Sequence, residues 1–299
     1  MKETLRRAAF LTLSDPTDFV IDDELAYEPL RKRGWQVETI PWNQPGVDWK
    51  RYGIVVIRST WDYQHHADKF LAVLAAIEGA GTHLENSIAI VRWNMQKTYL
   101  RDLAARGVPT LPTQWREQLG PGELLPLFDA MHSKEVVIKP VMSGNAQGAY
   151  RLDHARACAQ ASEIEVYYAA RPLMMQPFER AIVTEGEYSL FYFNGAYSHC
   201  VLKVPKPGDF RVQEEHGGDI RAVSAAPALR AAGAAAIAAI PESLLYARAD
   251  FLHCGDGAFR IMELELVEPA LYLRMDPGAP DRFAEAVIER AAVPARPAR

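Results

Sequence analysis

Three acids near the end of the chain are the residues whose spacing most directly suggests chemistry. The segment from Tyr246 to Val267 alternates in a way that predicts two antiparallel strands joined by a turn at residues 254–257. Glu263 and Glu265 would project side by side from the second strand, roughly 7 Å apart. A natural hairpin register brings Asp250 opposite or diagonal to Glu263. Three carboxylates on one sheet face repel one another unless a positive charge lies between them.

Two kinds of positive charge meet this need. Arg248 lies on the face of Asp250 and could pair with Glu263 across the hairpin, as ion pairs on sheets commonly do. A divalent cation, Mg²⁺ or Mn²⁺, is the other candidate, because such ions prefer carboxylate oxygens. Strict alternation further predicts that Ile261 shares the face of Glu263, with Met262 on the opposite face. The hairpin alone is compatible with either an ion pair with Arg248 or a bound divalent cation.

Two lysines occur earlier in the chain at positions suited to phosphate binding. Lys97 opens a predicted helix at residues 98–106, and Lys139 lies inside the apolar strand at residues 135–141. A lysine in such a strand is costly unless its ammonium reaches a partner, although an edge lysine can extend to solvent. The loop at residues 143–148 follows, and its backbone N–H groups could bind phosphate oxygens or simply form a hairpin turn. Neither a Walker A loop nor a GxGxxG motif is present.

The elements that would position these residues begin with a βαβ rhythm. Short apolar runs predict strands, and periodic segments between them predict helices, at residues 8–13, 22–33, 36–40, 52–57 and 68–79. This pattern predicts a small parallel sheet with ligands at the carboxyl ends of its strands. Arg58 follows the third strand in the segment RSTWDY. It could receive a substrate carboxylate, or the segment could be a helix cap beside a packed Trp.

The remaining chain contributes a second group of strands. An apolar run at residues 173–178 contains Gln176, and a strand at residues 188–193 reaches the hairpin signal Asn194-Gly195. Helices are predicted at residues 227–239 and 281–292, and the tail at residues 294–299 is expected to fray.

Composition narrows the class of protein. A length of 299 residues suggests two or three lobes, and 49% hydrophobic with 24% charged residues is typical of soluble globular proteins. The net charge of −5 argues against nucleic acid as the main partner. The three dispersed cysteines fit neither a zinc site nor a disulfide framework, so we expect a cytoplasmic protein. No secretory signal is expected, and no apolar stretch reaches the roughly 20 residues of a membrane span.

Taken in order, these motifs resemble the ATP-grasp superfamily, of the glutathione-synthetase and ribosomal-protein-glutamylating-ligase type. The resemblance covers nearly the whole chain. It implies an α/β fold in which a βαβ domain at residues 1–92 precedes two lobes that clamp the nucleotide. The central lobe, residues 93–175, would carry Lys139 and the small-residue loop, and the C-terminal lobe, residues 176–299, would carry the carboxylate hairpin.

The resemblance also implies ATP and Mg²⁺ as cofactors, with Mn²⁺ as a substitute, and it assigns roles by position. The phosphate-binding residues would be Lys97, Lys139, Ser143, Gly144, Gln147 and Gly148. The adenosine contacts would be Gln176, Pro177, Phe178 and Glu187, and the metal ligands Asp250, Glu263 and Glu265. Glu265 stands where the superfamily commonly has Asn, which adds one negative charge. Lys203 and Arg211 would face the phosphates, and Arg58, Arg211 and His216 are candidates for substrate contact, although His216 could be a solvated loop residue.

A narrower resemblance lies in the segments RSTWDY, VVIKPVMSGNAQGAYR and FRVQEEHGG. They are similar to those of ATP-grasp cyclo-ligases that form D-cycloserine from O-ureido-D-serine. This implies an enzyme that activates a carboxylate as an acyl phosphate and closes a ring through a nitrogen of the same small, amino-acid-like molecule. The alternatives are an intermolecular carboxylate–amine ligase, a nucleotide-binding protein without catalysis, and a domain with a structural salt-bridge hairpin. No nucleic-acid or membrane partner is expected, and a homo-oligomer is left open.

Overall fold

The first part of the fold is a parallel sheet with helices against it. The computed structural model describes residues 6–17, 19–143 and 147–293. The elements of this part are β1 (Arg6–Thr12), α1 (Tyr27–Lys32), β2 (Trp35–Pro41), β3 (Ile54–Ser59), α2 (Ala67–Gly79), β4 (His83–Glu85) and α3 (Ile88–Asn94). The strands are parallel, in the order β2-β1-β3-β4. The predicted βαβ arrangement is therefore confirmed.

The central part is an antiparallel sheet backed by two helices. Its elements are α4 (Tyr99–Ala105), β5 (Gln114–Arg116), α5 (Leu124–Asp129), β6 (Glu135–Pro140), β7 (Tyr150–Asp153), α6 (His154–Tyr168) and β8 (Leu173–Pro177). The strand order is β5-β8-β6-β7. Leu152, Ile164 and Tyr168 are fully buried in the core between the sheet and its helices. Lys139 on β6 and Gln176 on β8 lie on the opposite face of this sheet, where they line a cleft.

The last part is a five-stranded antiparallel sheet in the order β11-β10-β9-β12-β13. Its elements follow in chain order as α7 (Ala181–Thr184), β9 (Glu187–Phe193), β10 (Ala196–Val204), β11 (Asp219–Ala222), α8 (Pro227–Ala238), β12 (Tyr246–His253), β13 (Phe259–Glu265) and α9 (Ala279–Ala292). The predicted hairpin between Tyr246 and Val267 is confirmed as β12 and β13.

The first and last parts share one hydrophobic core. Phe10 and Leu30 from the first part pack in one cluster with Phe193, Tyr246 and Phe283 from the last. Helix α9 thus returns to the first sheet, which fixes the parallel sheet against the hairpin sheet. The three sheets follow the predicted order of domains, but β8 crosses the predicted 175/176 boundary, and the boundaries stay a prediction. None of the helices in the described ranges combines the length and apolar character that a membrane span requires.

Candidate active site

A cleft of about 870 Å³ lies between the central and last sheets, and the segment after β3 lines one end of it. It brings together most of the side chains that the sequence predicted for a site. The predicted residues that line it are Lys97, Lys139, Ser143, Gln147, Gly148, Gln176, Pro177, Phe178, Glu187, Lys203, Arg211, Glu263 and Glu265. Asp250 does not line it and is only 1% exposed. Gly144 lies outside the described residues.

The end of the cleft at β8 is an apolar slot. Leu111, Phe178, Ile182 and Leu252 belong to one hydrophobic cluster and line the cleft. Gln176 is buried beside them, and its Nε2 donates a hydrogen bond to Thr113 Oγ1 at 3.0 Å. This bond orients the side-chain amide. The slot therefore offers flat apolar walls and one fixed polar group, the combination that small-molecule sites use for orientation.

Lys97 connects three parts of the cleft. Its backbone N–H donates to the carbonyl oxygen of Val141 at 2.8 Å, just beyond β6. Its ammonium lies 2.7 Å from the carboxylate of Glu263 and donates to the carbonyl oxygen of Ser143 at 3.3 Å. The start of α4, the small-residue loop and the hairpin thus converge on one cation.

Lys139 lines the same cleft without an ion pair to any carboxylate in the part of the chain that the structure describes. Burial lowers the pKa of Lys139; the Glu263 carboxylate opposes this shift, and the Lys97 ammonium adds to it. An ammonium in this position attracts an anionic ligand, because such a ligand would supply the missing counter-charge.

The hairpin register confirms one prediction about the acids and corrects another. Asp250 is paired with Glu263, and Arg248 with Glu265. The register then shifts, so that Phe251 is paired with Ile261, which leaves Met262 as an extra residue in β13. This bulge places Ile261 in the core while Met262 and Glu263 line the cleft. The prediction of strict alternation was wrong here, because one inserted residue resets which side chains face the cleft.

Asp250 is held by a dense set of partners below the cleft. Its carboxylate accepts hydrogen bonds from Arg248 Nη2 at 3.0 Å, from Lys203 Nζ at 3.4 Å and from Ser189 Oγ at 2.5 Å. Arg248 also pairs with Glu265, and Lys203 with Glu187. The sequence-based pairing of Arg248 with Glu263 was therefore wrong, because Arg248 lies opposite Glu265 and Glu263 is paired with Lys97.

The pKa values of these acids reflect burial set against nearby cations. Burial raises the pKa of Glu187 to about 7, with Lys203 opposing the shift. Burial likewise raises the pKa of Glu265 to about 7, with Arg248 opposing. Burial would also raise the pKa of Asp250, but Arg248 and Lys203 outweigh it and hold that pKa below its usual value. The same balance holds the pKa of Glu263 low, through Lys97 and Lys139.

The donor chemistry of Asp250, Glu263 and Glu265 fits a hard divalent cation, since all three offer carboxylate oxygens. Their positions do not form a ready-made cage. Among the residues that the structure describes, no group of three or more His, Cys, Asp or Glu side chains is placed to hold a metal ion. Lys97 and Arg248 are paired with these acids instead. A cation entering the cleft would compete with Lys97 and Arg248 for the oxygens of Glu263 and Glu265.

Comparisons with known proteins agree with this geometry. The family model described as "D-cycloserine synthetase DcsG, N-terminal domain" matches residues 8–86. The cycloserine biosynthesis protein DcsG of Streptomyces lavendulae is 32% identical over 303 residues, spanning 93% of this chain and 97% of the relative. The chain belongs to the DcsG family. A crystal structure of D-cycloserine synthetase DcsG superposes with a TM-score of 0.83 at 30% identity, covering 95% of this chain and 99% of that one.

More distant structures place the DcsG family chain in the ATP-grasp fold. The ATP-grasp ligase PsnB, in a complex with minimal precursor, Mg and ADP, matches with a TM-score of 0.65 at 18% identity, covering 96% of this chain and 98% of that one. D-alanine–D-alanine ligase from Bacillus anthracis matches with a TM-score of 0.69 at 13% identity, covering 96% and 97% of the two chains. The chain is thus an α/β ATP-grasp ligase of the DcsG family.

The structure does not bring Arg58 to the cleft. Its side chain is buried, its Nε donates to the carboxylate of Asp23 at 2.9 Å and its Nη2 donates to the carbonyl oxygen of Pro269 at 2.8 Å. The guanidinium also stacks against Tyr246, 5.0 Å from the ring centre. Arg58 therefore joins the first part of the chain to the last in place of the exposed substrate contact that its position after β3 suggested.

Two further predicted substrate contacts have different surroundings. Arg211 lines the cleft, and its Nη2 donates to the carboxylate of Asp209 at 2.8 Å, which holds it on its own loop. His216 lies in a short turn with Glu214 and does not line the cleft.

The sequence analysis missed Glu268 and Gln64, which line the cleft at the end formed by the segment after β3. Gln64 Nε2 donates to Glu268 Oε1 at 3.2 Å, and Trp61 Nε1 donates to the carbonyl oxygen of Glu268 at 2.8 Å. Burial, with the neighbouring Glu265 carboxylate, raises the pKa of Glu268 to about 8. Sequence position was the one available signal: Glu268 lies three residues beyond the end of β13, and Gln64 directly follows the RSTWDY segment.

Proposed function

We propose that this protein is an ATP-dependent cyclo-ligase that forms D-cycloserine from O-ureido-D-serine. The observation that carries the proposal is the cleft of a DcsG family chain in which Lys97 and Lys139 face Glu263. Phosphoryl transfer consists mainly of positioning and charge neutralisation, and this set of cations and acids supplies both. The substrate is a small amino acid.

We propose that the nucleotide lies along the cleft with its base in the apolar slot. The oriented amide of Gln176 would accept a hydrogen bond from the adenine amino group, and Pro177 and Phe178 would contact the ring. Glu187 would bind the ribose hydroxyls. Lys97 and Lys139, with the loop at residues 143–148, would bind the phosphates, and Lys203 and Arg211 would face the transferring group.

We propose that Asp250, Glu263 and Glu265 hold Mg²⁺, for which Mn²⁺ can substitute. The bound ion would neutralise charge on the phosphate oxygens. For this to occur, Lys97 would turn from Glu263, and Arg248 would turn from both Asp250 and Glu265, towards the phosphates, where both cations are useful. During this exchange each carboxylate stays next to a positive charge, first a side-chain cation and then Mg²⁺, which limits the electrostatic cost of the rearrangement.

The proposed reaction has three steps, which are phosphorylation of the carboxylate, ring closure and hydrolytic release of the carbamoyl group. A substrate carboxylate oxygen attacks the γ-phosphorus of ATP, which gives an acyl phosphate and ADP. The ureido-oxy nitrogen then attacks the acyl carbon, and inorganic phosphate leaves as the ring closes and the nitrogen loses a proton. Hydrolysis of the carbamoyl group by one water gives CO₂ and ammonia. Because the nucleophile belongs to the same molecule, ring closure gains the advantage of an intramolecular reaction.

The side chains of the cleft would protect the acyl phosphate from water. Ser143, the first residue of the segment 143–148, accepts a hydrogen bond from the Lys97 ammonium through its carbonyl oxygen. Closure of this loop over the phosphates would exclude bulk water until the nitrogen attacks. We also propose a cytoplasmic location for the enzyme.

A screen of ADP release over amino-acid carboxylates, with mass detection of products, tests the proposal. We expect release with O-ureido-D-serine alone and a product of the mass of D-cycloserine. Release that requires a second amine, with a linear amide as product, would instead identify an intermolecular ligase.

A further inference from the structure

Glu268 differs from the other acids at the centre of the cleft because no cation in the described part of the chain pairs with it. Glu187, Glu263 and Glu265 are paired with Lys203, Lys97 and Arg248, respectively. Glu268 is half-buried in the same cleft, and no Lys, Arg or His side chain of the described residues lies within ion-pair distance of its carboxylate. Glu179 and Glu215 also have no ion-pair partner among the described residues, but Glu179 lies next to Phe178 at the apolar slot and Glu215 is exposed.

The Glu268 carboxylate is nevertheless held in place. Gln64 Nε2 donates to its Oε1 at 3.2 Å, and Trp61 Nε1 donates to its backbone carbonyl oxygen at 2.8 Å. Both donors are neutral, so they fix the position of the group without supplying a counter-charge, and an arriving cation would favour its ionised form. An oriented, half-buried carboxylate without a counter-charge is a binding site for a cation that arrives with a ligand.

The surroundings of Glu268 favour an organic ammonium ion. Trp61 contacts Phe19 with the ring centres 5.1 Å apart, and both rings line this end of the cleft. Aromatic walls favour an ammonium group and restrict water around it. Arg248 and Lys97 are close enough to influence the Glu268 carboxylate electrostatically. A ligand with an ammonium and a carboxylate on one carbon could therefore bind Glu268 while directing its carboxylate to these cations.

We propose that Glu268, oriented by Gln64, binds the α-ammonium group of the amino-acid substrate and so directs the substrate carboxylate towards the ATP phosphates. This inference rests on the proposed function and deepens it, since it assigns the recognition of one substrate group to one carboxylate. Glu268 then determines specificity for α-amino acids over the corresponding acids without the amine.

The test compares O-ureido-D-serine with 3-(ureidooxy)propanoate, which lacks only the ammonium group. Titration calorimetry would be done with the full chain, Mg²⁺ and a non-hydrolysable ATP analogue, using wild type, Glu268→Gln and the control Glu215→Gln. We expect wild type and the control to prefer the amino acid by about 10- to 100-fold, the strength of a charge-assisted contact. In Glu268→Gln this preference should fall below about 3-fold, with the affinity for the ATP analogue within about 2-fold of wild type.

Each outcome separates the inference from the proposed function. If Glu268→Gln keeps the wild-type preference, the inference is overturned and the proposed function is unaffected. If wild type binds both ligands equally, the inference is again overturned, because no ammonium site exists. If wild type binds neither, the proposed function falls, and the inference falls with it. A variant that loses affinity for the ATP analogue as well would contradict a role confined to the substrate.

Gln64→Ala provides a second measurement if Glu268→Gln fails to fold. This variant keeps the carboxylate but removes the side chain that orients it. We expect KM for the amino acid to rise while kcat at saturation stays within about 3-fold of wild type, because a positioning residue acts on binding through Glu268. An unchanged KM would contradict the positioning role.

Discussion

The ammonium of Lys97 lies 2.7 Å from the carboxylate of Glu263 and so joins the start of α4 to the hairpin β12–β13. Both residues line the cleft, and the Lys97 ammonium also donates a hydrogen bond to the carbonyl oxygen of Ser143. In the proposed reaction, both partners exchange this contact for ligand contacts: Lys97 binds phosphate and Glu263 binds Mg²⁺. The two residues thus neutralise each other before the nucleotide and the metal arrive.

Replacing Glu263 by Ala should abolish turnover. The change removes a proposed metal ligand and leaves the buried Lys97 ammonium without its partner, so we expect ADP release to fall by at least about 100-fold. Steady-state ADP release at several Mg²⁺ concentrations measures this. Asp256→Ala, on the turn of the same hairpin, removes an exposed ion pair with Arg260 and is the matched control. Near-normal turnover in Glu263→Ala would remove the proposed metal role.

Replacing Lys139 by Ala should weaken ATP binding more than it slows the chemical step. Lys139 lines the cleft without a carboxylate partner among the described residues, so a phosphate would supply its counter-charge. We expect KM for ATP to rise by about 10- to 100-fold. Lys134→Ala, at an exposed position just before β6, is the control. An unchanged nucleotide affinity would count against the assignment of Lys139.

Replacing Arg58 by Met should chiefly destabilise the fold. The change leaves the buried Asp23 carboxylate without its partner, and breaking a buried pair costs about 3 kcal/mol. Denaturant unfolding measures this, and the double variant Asp23→Asn/Arg58→Met should recover part of the loss. If Arg58 bound substrate instead, KM for the amino acid would rise in folded Arg58→Met with little change in stability.

The protein should become less stable as the pH falls from about 6.5 to about 4, because the buried His199 ring does not take up a proton in the folded state over this range. Burial lowers the pKa of His199 to about 4 from 6.5, and the ring stacks 4.3 Å from Phe191. Between these values the unfolded chain binds a proton that the folded chain does not, so stability is lost as pH falls from about 6.5 to 4.

Protonation of His199 in the unfolded chain accounts for at most about 3 kcal/mol of the lost free energy of unfolding. Urea unfolding of wild type and His199→Gln at pH 7 and pH 4.5 measures the effect. We expect the variant to show a smaller difference between the two pH values. Equal differences in the two proteins would show that another group is responsible.

The sequence predicted the parts of the site that depend on local pattern. The alternation at residues 246–267 predicted the hairpin, and a natural hairpin register placed Asp250 opposite or diagonal to Glu263, which the structure confirms. A lysine is costly in an apolar strand, which indicated a functional role for Lys139, and its side chain lines the cleft. These features are local, so neighbouring residues suffice to reveal them.

Features that depend on tertiary contact could not be predicted in the same way. The bulge at Met262 follows from packing against both the core and the cleft, which alternation alone does not encode. Arg58 is paired with Asp23, 35 residues away, because α9 and the last sheet cover the first sheet. Glu268 lies beyond the regular strand, where no periodicity marks it, and only the fold brings Gln64 to it.

The proposed reaction is tested most directly with O-ureido-D-serine that carries ¹⁸O at both carboxylate oxygens. Purified protein would be incubated with this substrate, ATP and Mg²⁺, and the products analysed by mass spectrometry. We expect one ADP for each D-cycloserine and one ¹⁸O in each inorganic phosphate, because the acyl phosphate passes a carboxylate oxygen to phosphorus. Absence of D-cycloserine, or its formation with unlabelled phosphate, would contradict carboxylate activation and the cyclo-ligase assignment.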